Sequence, residues 1–201
     1  MKCAILEKAG ELFLKYGFKS VTMDDIADKL GISKKTIYSH FKNKNILIEE
    51  ATMALFEMIS GGIDLICKNT KNPIEELFAV KKFTHEHLKD ESSSSHYQLQ
   101  KYYPEIFHNL KLKQLELIQS CVSKNLNLGI QMGLYRPDLD VDFITRIYFI
   151  GAIGLKDDET FPSNEYNYNY ISTLYLDYHI RAIATKKGIQ TLEKLILKNE
   201  K

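Results

Sequence analysis

The sequence predicts an all-α protein in two parts, a short N-terminal head of three helices and a larger helical body. Three observations predict it. Apolar residues recur at helical spacing from the first turn onward, helix-start and helix-stop residues alternate at short intervals through the first 45 positions, and no alternating hairpin pattern appears. Four prolines and ten glycines in 201 residues suit long helices.

The head reads helix by helix. Ile5, Ala9, Leu12, Phe13 and Tyr16 form one apolar stripe, and Gly17 ends it. Thr22 is an N-cap signal with Asp25 three residues on, and Asp24 and Asp25 suit the positive end of a helix dipole. Ile26, Ala27 and Leu30 supply the buried face of this second helix, which Gly31 stops. Ser33 caps a third helix ending near Phe41, and Asn43 caps a fourth that runs through Ile46, Leu47, Ala51 and Leu55. Two helices joined by a short glycine-containing turn are the helix-turn-helix pattern.

The body is helical as well. Pro73 opens a helix reaching about Asp90, and Pro104 opens another carrying Ile106, Leu110, Leu117 and Leu126. The serine run Ser92–Ser95 reads as a loop between them. Gly133–Pro137 interrupts the pattern. Val141–Leu155, Tyr166–Lys187 and Ile189–Leu197 complete it, with a charged loop at Lys156–Ser163. No flexible linker divides the parts, so the boundary falls inside the fourth helix, giving domains 1–45 and 46–201.

Composition narrows the function classes. Cys3, Cys67 and Cys121 are far apart and lack ligand spacing, which argues against a zinc site or a disulfide framework. No cofactor or metal is expected. Neither an eighteen-residue apolar run nor a signal-peptide core is present, so the expected compartment is the cytoplasm, with no membrane partner. No acid–base pair or nucleophile constellation points to an enzyme. Ser39–His40–Phe41–Lys42 matches a Ser-x-x-Lys nucleophile motif only formally. The formal net charge is +1, so nucleic-acid binding must rest on local charge.

That local charge lies between Lys29 and Ile48. The stretch holds Lys29, Lys34, Lys35, Lys42, Lys44 and His40, and no acidic residue. Lys34 and Lys35 fall in the first turn of the third helix and Lys44 in the first turn of the fourth, where cations oppose the helix dipole. An anionic partner resolves that conflict, because helix N-termini bind phosphate. Ile37 and Phe41, four apart, face the core. Lys34, Lys35, Thr36, Ser39 and His40 are left outside, and Tyr38 packs its ring while its hydroxyl reaches outward. Lysine, threonine and serine all contact base edges in the major groove.

Thr22–Met23–Asp24–Asp25–Ile26–Ala27, Leu30–Gly31–Ile32–Ser33, Thr36–Ile37–Tyr38–Ser39–His40–Phe41, and then Lys44 and Leu47, closely resemble the head of TetR-family repressors. Phe13–Leu14–Lys15–Tyr16–Gly17–Phe18 resembles the family's first helix and turn. The resemblance covers roughly residues 4–50. It implies an all-helical homodimer on double-stranded operator DNA. By position, Lys34, Lys35, Thr36, Tyr38, Ser39, His40 and Lys44 are the candidate DNA contacts. Lys35 departs from the small residue or proline common there, which leaves base preference open.

Gly129–Asp138 resembles the turn before the family's first dimerisation helix. The resemblance implies that the two late helices pair with their copies. Phe143, Ile147, Gly151 and Gly154 on one, and Ile171, Leu174 and Tyr178 on the other, are the interface candidates. Tyr97, Tyr102, Tyr103, Phe107, His85, His87 and His108 cluster in the middle of the sequence. Of these, His85, Tyr102, Tyr103 and Phe107 are the candidates for a pocket holding a small apolar or aromatic ligand. The expected function is a repressor released from a pseudo-palindromic operator by such a ligand. The alternatives are a constitutive DNA-binding or nucleoid-organising protein, and a small helical enzyme with an incidental basic patch.

Overall fold

A computed structural model of the chain describes residues 1–88 and 93–199. Its described residues form ten helices: α1 (Lys2–Tyr16), α2 (Met23–Leu30), α3 (Lys34–His40), α4 (Lys44–Asn69), α5 (Pro73–Leu88), α6 (Ser93–Tyr102), α7 (Pro104–Gln131), α8 (Val141–Gly154), α9 (Tyr168–Ile183) and α10 (Lys186–Asn199). The chain divides into two compact units. One comprises Met1–Gly61 with His87–Lys113, the other Gly62–Glu86 with Gln114–Lys201. Among the described residues no helix is long and apolar enough to cross a membrane.

The first unit is built on the expected stripe. Ile5, Ala9, Leu12 and Phe13 of α1 are buried with Ile26 and Ala27 of α2, Ile37 of α3, Phe41, and Leu47, Ile48 and Ala51 of α4. Tyr16 departs from the expectation and is exposed, with the Lys15 ammonium 5.4 Å from its ring centre. The caps form as read. The Thr22 side chain accepts from the Asp25 backbone N–H while the Asp25 carboxylate accepts from the Thr22 N–H, a complete capping box. Gly31 ends α2 in the left-handed conformation that favours glycine. Ser33 Oγ accepts from the Thr36 N–H, and Asn43 Oδ1 from the Ile46 N–H.

The serine run is where the sequence reading fails. Ser92, like Asp90, lies outside the described residues, but from Ser93 onward the run is α6 rather than loop. The reason is tertiary. Ser95 is fully buried, and its hydroxyl serves the Phe13 and Leu14 carbonyls at the C-terminal end of α1. The Phe13 carbonyl also accepts from the Gly17 N–H at 2.9 Å, whereas the Leu14 carbonyl is among the last of the helix, which have no partner within it. One turn on, Gln98 Oε1 accepts from the Lys19 N–H at 2.8 Å, and its amide fills the space beside Gly17 that any side chain there would need. Leu99 of α6 joins the core, and Tyr103, Ile106, Phe107 and Leu110 pack against it.

The second unit centres on Ile74, Leu77, Val122, Leu126, Leu134, Tyr135, Leu176, Ile180, Ile183 and Leu192. A polar chain crosses this core. Asn125 donates to the Pro73 carbonyl and to Glu76 Oε1, each at 2.8 Å, and Tyr135 donates to Asn125 Oδ1 at 3.2 Å. Burial pushes the Glu76 carboxyl up from its ordinary pKa. The Tyr135 ring seats against Gly129, whose missing side chain makes that approach possible. The turn after α7 is tied to the end of α9, with the Arg136 N–H donating to the Ile183 carbonyl and the Thr185 N–H to that of Leu134. In α9, His179 is 6% exposed, with its ring centre 4.8 Å from that of Tyr148 and 6.2 Å from that of Tyr175. Burial pushes its imidazole down to about 4.

Ser95→Ala removes the side-chain donor from the end of α1 and leaves the Leu14 carbonyl short of a partner. The expected loss is about 1–3 kcal/mol, read as a lower urea midpoint at unchanged slope. His179 makes a second expectation. Its folded pKa of about 4 lies below the unfolded value near 6.5, so the folded state resists protonation. Stability is intact above about pH 6.5 and falls as the pH drops toward 4, by up to about 3 kcal/mol from this group. His179→Phe should flatten that part of the stability–pH curve. An unchanged slope in urea titrations at pH 7, 6 and 5 would show that His179 does not carry it.

Candidate nucleic-acid interface

Helix α3 is seven residues long and is fixed at both ends. Ser33 caps its start, with Ser33 Oγ and Thr36 Oγ1 2.9 Å apart. Ile37 within it and Phe41 just beyond it are fully buried. That anchoring turns the opposite side outward. Lys34, Lys35, Tyr38, Ser39 and His40 are exposed and Thr36 is half-buried. Ser39 Oγ donates to the Thr36 carbonyl at 2.7 Å, so both hydroxyls engage their own helix or its cap.

The charges have partners that the sequence did not disclose. Lys34 Nζ lies 2.7 Å from Asp24 Oδ2, and that carboxylate holds the ammonium pKa above its ordinary value. The unfavourable placement of Lys34 in the first turn of α3 is therefore partly answered within the head. Lys44 Nζ donates to the Lys19 carbonyl at 3.1 Å, and burial lowers its pKa while Asp25 opposes that shift. Asp24 and Lys34 sit on different helices ten positions apart, so no helical spacing signals the pair. The exposed Lys35, Tyr38 and His40 carry no comparable ion pair among the described residues.

The pocket candidates are distributed over both units. His85 belongs to the second, while Tyr102, Tyr103 and Phe107 belong to the first. Tyr103 and Phe107 pack against the first unit's core, and the His96 ring meets Phe107 edge-on at 5.3 Å. Tyr102 is exposed, with the Lys19 ammonium 4.0 Å from its ring centre.

The interface candidates separate into two groups. Phe143 and Ile147 of α8 and Leu174 and Tyr178 of α9 are exposed apolar side chains. Ile150, 62% exposed, and Tyr170 extend the same stripes at helical spacing. Ile171 instead faces the interior of its own unit at 6% exposure. Gly151 is used within the subunit as well, because a side chain there would strike the Tyr175 ring, whose hydroxyl donates to the Tyr148 carbonyl at 3.0 Å. The space beside Gly154 is open.

A capped two-helix turn presenting a basic, hydroxyl-bearing short helix on an all-α chain defines a helix-turn-helix DNA-binding regulator. Residues 5–51 match the family of bacterial regulatory proteins, tetR family. The N-terminal stretch of the chain is thus similar to the DNA-binding head of that family. The chain is similar to the HTH-type transcriptional repressor KstR2 of Mycolicibacterium smegmatis, 28% identical over 149 residues that cover 71% of each protein. Two solved structures share the fold. The FadR regulator of Bacillus subtilis in complex with stearoyl-CoA superposes with a TM-score of 0.65 at 19% identity, over 91% of this chain and all of that one. A regulator of Saccharomonospora viridis in complex with choline does so with a TM-score of 0.72 at 20% identity, over 92% and 98%.

Proposed function

We propose that this regulator is a repressor that occupies a pseudo-palindromic operator as a homodimer and leaves it when a small ligand binds the body. The observation that carries the reading is the outward face of α3, which offers Lys35, Tyr38, Ser39 and His40 while Ile37 and Phe41 lock its rotation. Residues 1–45 form the DNA-reading head in this proposal. Lys35 and Thr36 take the base edges, and Lys44, held at the start of α4, takes a phosphate. Phe143, Ile147, Ile150, Leu174 and Tyr178 supply the contact between copies.

Relatives support both halves of the reading. KstR2 is named a repressor. Two regulators of the same fold hold small molecules, one an acyl-CoA and one a quaternary amine. Those ligands differ in charge and size, so they support ligand responsiveness without naming the chemistry for this chain. Helices α4 (Lys44–Asn69) and α7 (Pro104–Gln131) each contribute to both units, and α4, which starts at the head, is on this proposal the element through which a body ligand acts. The ligand must bind the DNA-incompetent form more tightly, since equal affinity shifts nothing.

Selection from random DNA tests the head. It should return two-fold sites whose half-site centres lie about one helical turn apart, roughly 34–36 Å or slightly more. Lys35→Ala and Thr36→Ala should relax base preference at particular positions, by about 1–3 kcal/mol each. Lys44→Ala should weaken all duplexes alike. Asymmetric sites, or equal losses on operator and random DNA for all three variants, would refute the assignment.

Ile150→Arg and Leu174→Arg test the copy-to-copy contact. Both residues are exposed in the subunit, so helical content should hold while sedimentation shows monomers and operator affinity collapses. Gly151→Arg is the poorer probe, because it collides with Tyr175 in its own chain. Dimers in both exposed-site variants would place the contact elsewhere.

A further inference from the structure

The first unit carries a second group of lysines that the helix-turn-helix does not include. Lys19 follows α1, and its backbone is held from two sides. Its N–H donates to Gln98 of α6, and its carbonyl accepts from Lys44 Nζ. Its side chain leaves that anchor and places its ammonium 4.0 Å from the centre of the Tyr102 ring. Lys101 approaches the same ring at 5.7 Å and the Tyr97 ring at 5.0 Å, and donates to the Tyr97 hydroxyl at 2.6 Å. Tyr97 and Tyr102 are 51% and 42% exposed, and both lysines are exposed. Among the described residues these two ammonium groups rest on tyrosines and form no ion pair.

Two cations on one exposed ring repel each other, and the ring face attracts both. Neither neutral tyrosine cancels their charge, so the cluster remains a doubly positive patch. Each ammonium has three donors, and the contacts described leave donors free on both. The patch is continuous with Lys44 through the Lys19 backbone. A partner that suits two charges beside a phosphate-binding lysine is a further run of the same phosphodiester chain.

We propose that Lys19 and Lys101, steadied by Tyr97 and Tyr102, grip DNA-backbone phosphates next to the one held by Lys44. The inference rests on the DNA-binding reading above and extends it to α6, an element outside the head. The contact is blind to sequence and adds affinity on any duplex. It also makes the footprint of each protomer longer than the base pairs read by α3.

The test uses the full chain and the duplex that selection returns, with native flanks, beside a scrambled duplex of equal length. Log affinity is followed against log salt for the wild type, Lys19→Ala, Lys101→Ala, Lys101→Arg and Lys44→Ala. Each alanine variant at the patch should lower the slope by about 0.9 per lost contact, or about 1.8 where two protomers bind. The loss should be equal on operator and scrambled DNA, and Lys101→Arg should keep the wild-type slope. Trimming the flanks should remove the difference between the patch variants and wild type. Patch variants with the wild-type slope, beside a Lys44→Ala variant that loses slope, would overturn this inference and leave the DNA-binding reading standing. That outcome would also fit a patch made for an acidic protein surface. A wild type without salt-dependent duplex binding would overturn both. Circular dichroism on each variant confirms that helical content is retained.

Discussion

The burial of Ile37 and Phe41 is the constraint on which the exposed face of α3 depends. Seven residues give α3 barely two turns, too few for a helix to persist alone in water. Burying two such side chains contributes roughly 1.5–3 kcal/mol each, and the Ser33 cap adds about 1. These terms hold the helix and also fix its rotation. Successive residues turn by about 100°, so moving the anchors by one position would carry Lys35 and Tyr38 off the exposed face. The chemistry offered to a partner is thus set by two side chains that never meet it.

The same logic applies at the other end of α1. A helix that stops inside a packed unit leaves carbonyls that must be paired. Here the donor comes from Ser95, more than eighty positions away in sequence, and Gln98 secures the next turn. Segment 93–113 therefore belongs to the first unit structurally as well as energetically. Lys19 lies where these ties converge. Its N–H is held by α6 and its carbonyl by the start of α4, so the loop before α2 is braced by elements on both sides.

What the sequence disclosed follows from how far each interaction reaches. Capping is local, so Thr22 with Asp25, Gly31, Ser33 and Asn43 were readable as helix ends. The apolar spacing of Ile5, Ala9, Leu12 and Phe13 is likewise local, and it located the head core. Tyr16 obeyed the spacing yet stayed outside, because an amphipathic ring at the last turn can rest beside Lys15 in water. The serine run misled because serine in isolation favours turns, and only the ends of α1 explain why it enters a helix. The Asp24–Lys34 pair and the occupation of Gly151 by Tyr175 join separate helices, so no spacing rule announces them. On α8 and α9 the apolar pattern was visible, but which stripe faces inward was not. Ile171 and Leu174 are three apart and equally apolar, yet one is buried and the other is not.

The Asp24–Lys34 pair also bears on how a nearly neutral chain engages a polyanion. Both side chains are about half exposed, at 46% for Lys34 and 62% for Asp24. Such an exposed pair contributes little to stability and weakens with salt. It places the Lys34 ammonium 2.7 Å from the Asp24 carboxylate of α2. On the proposed reading, an arriving phosphate takes the place of the carboxylate, exchanging one anionic oxygen for another. The direct exchange is close to even, so little affinity comes from Lys34 itself. The release of counterions condensed on the DNA favours it, and that advantage shrinks as salt rises. On that same proposal the acidic neighbour moderates non-specific attraction at α3, while Lys44, which meets a carbonyl rather than a carboxylate, would give up no ion pair to a phosphate.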